Sequence, residues 1–365
     1  MPKQEQSFAK SKPAFSLMAE GIFVSSYMQL CELLHLSKYL LQLPTFQSSV
    51  YIIKTMKKIL VTGAFGQIGT ELVPALQKKY GKDNVVAMDI NTPEGYDGLV
   101  ERFNIMEKDR LIECLDRHDI GTVYHLVSLL SAKGEENPST TWDINMTGLK
   151  SVLDLAVERK MNIFWPSSIA AFGPSTPKKE VPQHTVMEPT TMYGVTKVAG
   201  ELLCRYYHIK YNLDVRCVRY PGIISWKQEP GGGTTDYAVA VFYEAIKSGA
   251  YTCFVRPDTV LPMVYMDDAI EGTLQLMDSD TDKTGGFHAY NMTALSFSAQ
   301  ELADEIKKHI PLDISYSPDH RQMIADSWPQ TIDDSPARQE WGWNPKYDLP
   351  KLVETMLDNL KKKIV

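Results

Sequence analysis

The sequence predicts an α/β protein with a doubly wound parallel sheet and a smaller C-terminal substrate lobe. Three observations support this fold class. A short apolar strand runs into a glycine-rich turn near residue 60. Apolar strands then alternate with amphipathic helices as far as about residue 220, the pattern of a parallel sheet covered on both faces. Finally, a Tyr-x-x-x-Lys motif lies within one of the later helices.

The first strand is predicted at residues 59–61 (ILV), whose β-branched and apolar side chains are typical of a strand buried on both faces. Glycines follow at every third position, and residues 70–76 predict a helix. Strand, glycine turn and helix form the setting of a Rossmann-type dinucleotide site, with phosphates at the helix N-terminus. The spacing G-x-x-G-x-x-G differs from the commoner G-x-G-x-x-G. The turn residues assigned to the cofactor are Gly63, Gly66, Gln67, Ile68 and Gly69.

A second apolar run, residues 85–88, ends in Asp89, which lies 20 residues after Gly69. A carboxylate there accepts hydrogen bonds from the adenosine ribose and repels a 2′-phosphate, so NAD is favoured over NADP. The alternative is a strand-end aspartate that faces water.

The chain continues in alternation. Helices are predicted at 107–117, 138–159 and 193–211, and strands at 122–126, 162–166 and 215–218. Beyond residue 220 strands and helices no longer alternate regularly. Helices are predicted at 236–247, 267–277 and 298–309, and a last one begins at Leu349. The expected domains are an N-terminal extension at 1–55, an NAD-binding domain at 56–225, and a mainly substrate-binding lobe at 226–365 that returns some segments to the first domain.

Composition narrows the function classes. The 365 residues are 44% hydrophobic and carry a formal charge of −7, so nothing suggests a nucleic-acid surface. The five cysteines show no C-x-x-C pairing, which favours reduced thiols over a disulfide framework or a metal site.

Residues 1–55 hold five lysines, three glutamates and no arginine. A mitochondrial presequence is one interpretation, since the segment is basic, serine-containing and amphipathic. A disordered extension, or residues upstream of the natural start at Met56, is the other, and would leave a cytoplasmic location. Interleaved charges between residues 21 and 43 argue against a membrane span.

Tyr193 and Lys197 are spaced i and i+4, so they share one helix face. An ammonium beside a phenol favours the phenolate, and we expect it to lower the pKa of Tyr193 so that the phenolate removes a proton from an alcohol. Ser168, at the end of a predicted strand, is the expected third catalytic residue, because its hydroxyl can bond the reacting oxygen. Ser167 is its close rival.

These motifs together resemble the extended short-chain dehydrogenase/reductase superfamily, of which UDP-galactose 4-epimerase is a well-known member. The resemblance rests on TGAFGQIG, Asp89, the Ser-Ser before AAFG, and YGVTK, and runs from about residue 57 onward. Within that superfamily, three segments are similar to the L-threonine 3-dehydrogenases of this type: PTTMYGVTK, RYPGIISWKQEPGGGTTDYAV and SWPQTIDDSPARQEWGW.

The resemblance implies NAD-dependent oxidation of the 3-hydroxyl of L-threonine to 2-amino-3-oxobutanoate. It also implies a homodimer joined through helices 138–159 and 193–211. Further cofactor contacts implied by it are Asn104, Ile105, Leu126, Val127, Pro221 and Ile223.

A small zwitterion also needs partners for its carboxylate and ammonium groups. The candidates are Ser131, Thr185, Thr234 and Asp236, the last for the ammonium. We expect the loop at 231–235 to be mobile without substrate and to close over threonine; the alternative is a loop that is simply mobile.

Two other functions stay open on sequence grounds. A nucleotide-sugar epimerase or dehydratase on the same fold would need cations for a diphosphate, a role open to Arg256 and Arg321. A non-enzymatic NAD-sensing protein is disfavoured, because such proteins typically lose the Tyr or the Lys and both are present.

Overall fold

The computed structural model describes residues 57–280, 287 and 289–364, with only the helical backbone for residues 131–133. The predictions for residues 1–55 therefore lie outside the described residues. Seven parallel strands form the central sheet, in the order β3-β2-β1-β4-β5-β6-β10. They are β1 Lys58–Thr62, β2 Val85–Asp89, β3 Leu99–Arg102, β4 Ile120–His125, β5 Asn162–Ser168, β6 Val215–Tyr220 and β10 Ala289–Asn291.

The predicted α/β fold with a parallel, doubly wound sheet is confirmed. The strand order reverses between β1 and β4, and open sheets of this kind bind ligands in the crevice at such a reversal. The helices of this half are α1 Gly69–Tyr80, α2 Lys108–His118, α3 Ser131–Glu136, α4 Pro138–Trp142, α5 Gly148–Arg159 and α6 Met192–Tyr211.

Both faces of the sheet are buried, as the apolar strands require. Leu60 packs with helices α2 and α5 on one face, whereas Ile59 and Val61 pack with α1 on the other. Because side chains alternate along a strand, three consecutive apolar residues in β1 supply both cores.

The C-terminal part contains five further strands and six helices among the described residues. Its sheets are short: β11-β9-β7 forms one and β12-β8 the other. The elements are β7 Gly222–Ile224, α7 Tyr237–Lys247, β8 Ala250–Cys253, β9 Val260–Tyr265, α8 Met266–Asp278, β11 Leu295–Ser298, α9 Ala299–Lys307, β12 Asp313–Tyr316, α10 Arg321–Ser327, α11 Ser335–Trp341 and α12 Leu349–Ile364.

The helix predicted over residues 138–159 is interrupted. A π-helical turn, Asp143–Thr147, joins α4 to α5. Across the described ranges, we find no helix of the length and apolar character needed to cross a membrane.

Candidate active site

The glycine turn after β1 has a backbone that side chains would obstruct. Gly63 has φ +70°, and a Cβ atom there would lie 3.0 Å from the backbone nitrogen of Val127. A Cβ at Gly69 would lie 2.4 Å from the Gly63 carbonyl oxygen, so only glycine lets α1 start this close to β1. At Gly66, which is exposed, a Cβ would meet nothing closer than 3.4 Å. Space beside Gly66 and the N-terminus of α1 together suit a pyrophosphate.

Asp89 lies beside this turn. Its Oδ2 accepts a hydrogen bond from the backbone N–H of Phe65 at 3.0 Å, and its Oδ1 accepts from Ile90 at 2.7 Å. The end of β2 is thereby fixed against the glycine turn, in the position where an adenosine ribose binds in dinucleotide folds.

A cleft of about 460 Å³ opens next to the turn. Its walls come from the ends of β4, β5 and β6, from the start of α6, and from the loop that precedes α7. Sequence-predicted residues that line it are Gln67, Ile68, Leu126, Ser168, Tyr193, Lys197, Pro221, Ile223, Thr234 and Asp236.

Tyr193 and Ser168 meet in this cleft, because α6 begins where β5 ends. Both side chains line the cleft, and the Ser168 hydroxyl acts to lower the pKa of Tyr193 because it favours the phenolate. Burial outweighs this effect and raises the pKa of Tyr193 to about 12.

Lys197 lies one helical turn further along α6 and is almost fully buried. Its ammonium donates to the Pro166 carbonyl oxygen at 2.8 Å and lies 5.3 Å from the centre of the Tyr193 ring. Burial lowers the pKa of Lys197 to about 8. Since the described residues supply this one acceptor, two of its three donors stay open to a ligand.

The expectation that Lys197 lowers the pKa of Tyr193 is wrong for the protein by itself. The pKa of Tyr193 is raised because burial dominates, and the Lys197 ammonium, 5.3 Å from the centre of the ring, does not offset it. The lysine instead sits behind the tyrosine, where it can bond the hydroxyls of a ribose.

Ser167 also borders the cleft, but its hydroxyl belongs to a buried polar network. Its hydroxyl donates to Glu201 Oε1 at 2.5 Å, and Glu201 forms an ion pair with Arg219 at 2.8 Å. Both charged side chains are at most 6% exposed. Arg219 also donates to Asn291 Oδ1 at 3.0 Å, and this network links β5, β6 and β10 to helix α6.

The π-helical turn presents Asn145 to the cleft wall. The Asn145 side chain accepts from the backbone N–H of Leu129 at 2.8 Å and donates to the Thr196 hydroxyl at 3.1 Å. A π turn inserts one extra residue, and such turns are frequent at functional sites. This amide therefore links the segment after β4 to α6, next to Lys197.

Four other predicted site residues are not among the described residues that line the cleft. Asn104 is exposed, with its Oδ1 bonded to the backbone N–H of Met106 at 3.0 Å, and Ile105 is 2% exposed within the core. Neither these two nor Thr185 is among the described residues that line the cleft. Ser131 begins α3, and its side chain lies outside the described part of the structure.

Asp236, the expected partner of the substrate ammonium, is hydrogen-bonded to its own loop. Its Oδ2 accepts from the backbone N–H groups of Gly232 and Gly233 at 2.7 and 2.8 Å. The carboxylate thus fastens the glycine-rich loop to the start of α7. Thr234, in the same loop, is 3% exposed.

Several cleft residues were not predicted from the sequence, among them Trp328 and Ser128. Trp328, 7% exposed, enters the cleft from the segment after α10, far along the chain. Ser128 lies just after β4, and its buried hydroxyl has no hydrogen-bond partner within the described ranges. The position of Ser128 after an apolar strand was the one available signal.

The sequence of this chain is similar to a known protein family and to curated relatives. The model of the NAD dependent epimerase/dehydratase family matches residues 59–292. A curated relative from Staphylococcus haemolyticus, named an uncharacterized epimerase/dehydratase, is 48% identical over 315 residues. That alignment covers 84% of this chain and 99% of the relative.

Two solved structures are similar over the same extent. A monomeric L-threonine 3-dehydrogenase from a metagenome, in its apo form, is 49% identical with a TM-score of 0.82, covering 84% of this chain and 99% of that chain. A GalE-like L-threonine dehydrogenase from Cupriavidus necator, in its holo form, is 49% identical with a TM-score of 0.81. It covers 83% of this chain and 99% of its own.

Proposed function

The chain belongs to the NAD dependent epimerase/dehydratase family, and from that premise we propose that it is an NAD-dependent L-threonine 3-dehydrogenase. The proposed reaction oxidises the 3-hydroxyl of L-threonine to the ketone of 2-amino-3-oxobutanoate. One observation carries the proposal: Tyr193, Ser168 and Lys197 line the same cleft, next to the glycine turn, and the Lys197 ammonium lies 5.3 Å from the centre of the Tyr193 ring. Solved relatives at 49% identity that bear this enzyme's name support the choice of substrate.

Three side chains divide the chemistry. The Tyr193 phenolate accepts the proton of the substrate hydroxyl, and the Ser168 hydroxyl donates a hydrogen bond to the same oxygen as charge develops there. Lys197 holds the nicotinamide ribose through its two open donors. Bound NAD⁺ would supply the acceptor for the C3 hydride and a positive charge that favours the phenolate.

Asp89 supports NAD rather than NADP in this proposal. Its carboxylate is already fixed by the Phe65 and Ile90 N–H groups, so it cannot turn away from a ribose that carries a 2′-phosphate. Repulsion between these two anionic groups would disfavour NADP.

The proposed substrate contacts rest on a different observation for each residue. Thr234 lines the cleft and can bond a carboxylate, and Ser131 and Thr185 stay as predicted partners. Asp236 can still attract the ammonium through its charge, although its Oδ2 already receives two backbone N–H groups. Trp328 adds an apolar wall suited to the substrate methyl group.

The epimerase alternative has weaker structural support. Arg256 forms ion pairs with Asp258 and Asp326, and Arg321 is bonded to Asp319 at 2.6 Å. Both guanidinium groups are therefore occupied by carboxylates, so a diphosphate would have to displace them. The shared family membership is what keeps this alternative in view.

One assay separates the two functions. Formation of NADH is followed by absorbance with L-threonine and, separately, conversion of a UDP-hexose is followed by chromatography. We expect NADH only with NAD⁺ and L-threonine, and no sugar conversion. Sugar conversion without threonine oxidation would replace the proposal with the epimerase.

We also propose a homodimer. Helix α6 exposes the apolar side chains Val195, Leu202, Tyr206 and Ile209, and Trp142 on α4 is 43% exposed. These helices are the pair that the sequence resemblance assigns to the dimer interface.

A further inference from the structure

A second cluster of reactive side chains lies on the outer edge of the central sheet. Cys114 and His118 are spaced i and i+4 on α2, so they share one helix face. Glu101 projects toward them from β3, the edge strand. One donor atom from each residue lies within 4.8 Å of the other two. This sulfur, nitrogen and oxygen set plays no part in the proposed active site.

The cluster is sheltered but reachable. The side chains of His118 and Glu101 are 14% and 13% exposed, and Cys114 is 1% exposed. His118 Nε2 lies 2.7 Å from Glu101 Oε1, and Arg117 donates to the same oxygen at 2.8 Å. Arg117 is itself 58% exposed, so it can move to the other carboxylate oxygen without loss of packing.

A surface ion pair alone would account for Glu101, His118 and Arg117. It does not account for the thiol, which is buried next to a carboxylate. A thiolate and a carboxylate together carry two negative charges, which neutralise one divalent cation.

We propose that Cys114, His118 and Glu101 bind one Zn²⁺ ion, with water as the fourth ligand. Mixed thiolate, imidazole and carboxylate sets suit zinc, whose ligand atoms lie roughly 3.5 Å apart around a tetrahedral ion. The three donor atoms, which lie within 4.8 Å of one another, would have to adjust to that spacing on binding. On binding, the Cys114 S–H bond breaks, its proton leaves to solvent, and a zinc–sulfur bond forms.

Zinc binding is expected to stabilise the edge of the central sheet. A bound ion would join the edge strand β3 to the C-terminal end of α2. Within the sheet, Glu101 pairs with Met88 and Arg102 pairs with Asp89. The ion would therefore stabilise the strand next to the carboxylate that we assign to the adenosine ribose, and the stabilisation would grow with zinc concentration.

Cobalt is the probe for this site, because thiolate-bound Co²⁺ gives a ligand-to-metal charge-transfer band and zinc does not. The full chain, freed of any affinity tag and treated with a chelator, is titrated with Co²⁺. We expect one Co²⁺ per chain with the thiolate band, displaced by one equivalent of Zn²⁺, and a melting temperature that rises with added Zn²⁺. Absence of the band would overturn the proposal.

Variants identify the ligands. Cys114→Ser should remove the band, and His118→Gln and Glu101→Gln should each weaken Co²⁺ binding at least tenfold. The matched control is Cys31→Ser, since Cys31 is also followed by a histidine at i+4, His35, in the segment outside the described residues. A band that survives Cys114→Ser but disappears in Cys31→Ser would also overturn the proposal. Circular dichroism verifies that each variant is folded, and Glu101→Gln tests the site if Cys114→Ser does not fold.

Discussion

Neighbouring serines at the end of β5 have separate tasks. Ser168, the last residue of the strand, lies in the cleft with Tyr193 at the start of α6, whereas Ser167 donates to Glu201 further along the same helix. Sequence reasoning favoured Ser168 but left Ser167 as a rival, because the two are chemically identical. What separates them is the carboxylate of Glu201, two helical turns after Tyr193, whose role as a buried partner has no signal in the local sequence.

The first prediction concerns Tyr193. Tyr193→Phe removes the phenol oxygen and keeps the ring, so cofactor binding should survive while kcat falls by at least about 10²-fold, the usual contribution of a general base. NADH formation measures turnover, and quenching of protein fluorescence by NADH measures binding.

Tyr206→Phe is its matched control, since Tyr206 lies on the same helix and is 50% exposed. It should keep the wild-type rate. Full turnover in Tyr193→Phe would remove this tyrosine from the chemistry.

A second residue-scale prediction concerns His125, which is fully buried at the end of β4. Its Nδ1 lies 2.7 Å from the Thr62 hydroxyl, and burial lowers its pKa to about 3. The unfolded chain binds a proton here below about pH 6.5, and the folded chain does not until about pH 3. The free energy of unfolding should therefore fall by about 1.4 kcal/mol for each pH unit between pH 6 and pH 4 on account of this group.

Urea unfolding at a series of pH values checks this. His125→Gln should lessen the dependence of unfolding free energy on pH, whereas His320→Gln, at an exposed histidine, should leave it unchanged. Equal slopes in His125→Gln and the wild type would show that His125 does not cause the acid sensitivity.

At the scale of elements, most of the alternation of strands and helices up to β6 could be predicted from apolar periodicity, but the half-exposed edge strand β3 was not predicted. The short strands β8 to β12 could not be predicted either, since their partners are distant in sequence: Ala250 pairs with Asp313. The π turn was missed for a related reason. Its extra residue is stabilised by hydrogen bonds from the Asn145 side chain to Leu129 and Thr196, which are distant in sequence. No local residue pattern predicts these bonds.

The glycine turn allows a paired test of fold and function. Gly66→Ala should fold with near wild-type stability, because its Cβ would meet only an ordinary contact at 3.4 Å, yet it should bind NAD⁺ at least tenfold more weakly. Gly69→Ala should lower the melting temperature, because its Cβ would overlap the Gly63 and Ala64 carbonyl oxygens. Calorimetric titration with NAD⁺ and thermal melting measure the two effects. Unchanged NAD⁺ affinity in Gly66→Ala would contradict a pyrophosphate at this turn.

The loop before α7 gives the next prediction. Asp236 is its fastening point, through the Gly232 and Gly233 N–H groups. NAD⁺ plus L-threonine should protect residues 229–235 from limited proteolysis, because the loop closes over the substrate to exclude water. Mass spectrometry of the fragments locates the cuts, and D-threonine in place of L-threonine is the control. Equal cleavage with and without ligands would argue against closure.

At the scale of the whole molecule, the cleft is assembled from both halves of the chain. Its catalytic wall comes from elements before residue 212, whereas Thr234 and Trp328 arrive from elements after β6. The motif in α6 and the glycine turn made the first wall predictable. The second depends on how the C-terminal lobe packs onto the sheet, so a tryptophan 135 positions after Tyr193 could not be placed from sequence.

Helix α6 borders this cleft on one side and is exposed to solvent on the other. At 100° per residue, Val195, Leu202, Tyr206 and Ile209 form one stripe on the side of the helix opposite Tyr193. Exposed apolar stripes of this kind mark interaction surfaces. Burial of a leucine or isoleucine side chain contributes about 1.5–3 kcal/mol, so several of them from each chain would favour the proposed dimer against the cost of association.

We therefore expect Leu202→Glu combined with Ile209→Glu to convert a dimer into a monomer, because two buried charges would face each other across the interface. Light scattering coupled to size-exclusion chromatography measures the mass. Met323→Glu, at a residue on α10 that is 73% exposed, is the control and should leave the mass unchanged. Since Tyr193 lies on the opposite side of α6, the monomer should keep its cofactor site and a measurable rate. A wild-type protein that elutes as a monomer at micromolar concentration would contradict the proposed dimer and would assign the stripe to another partner.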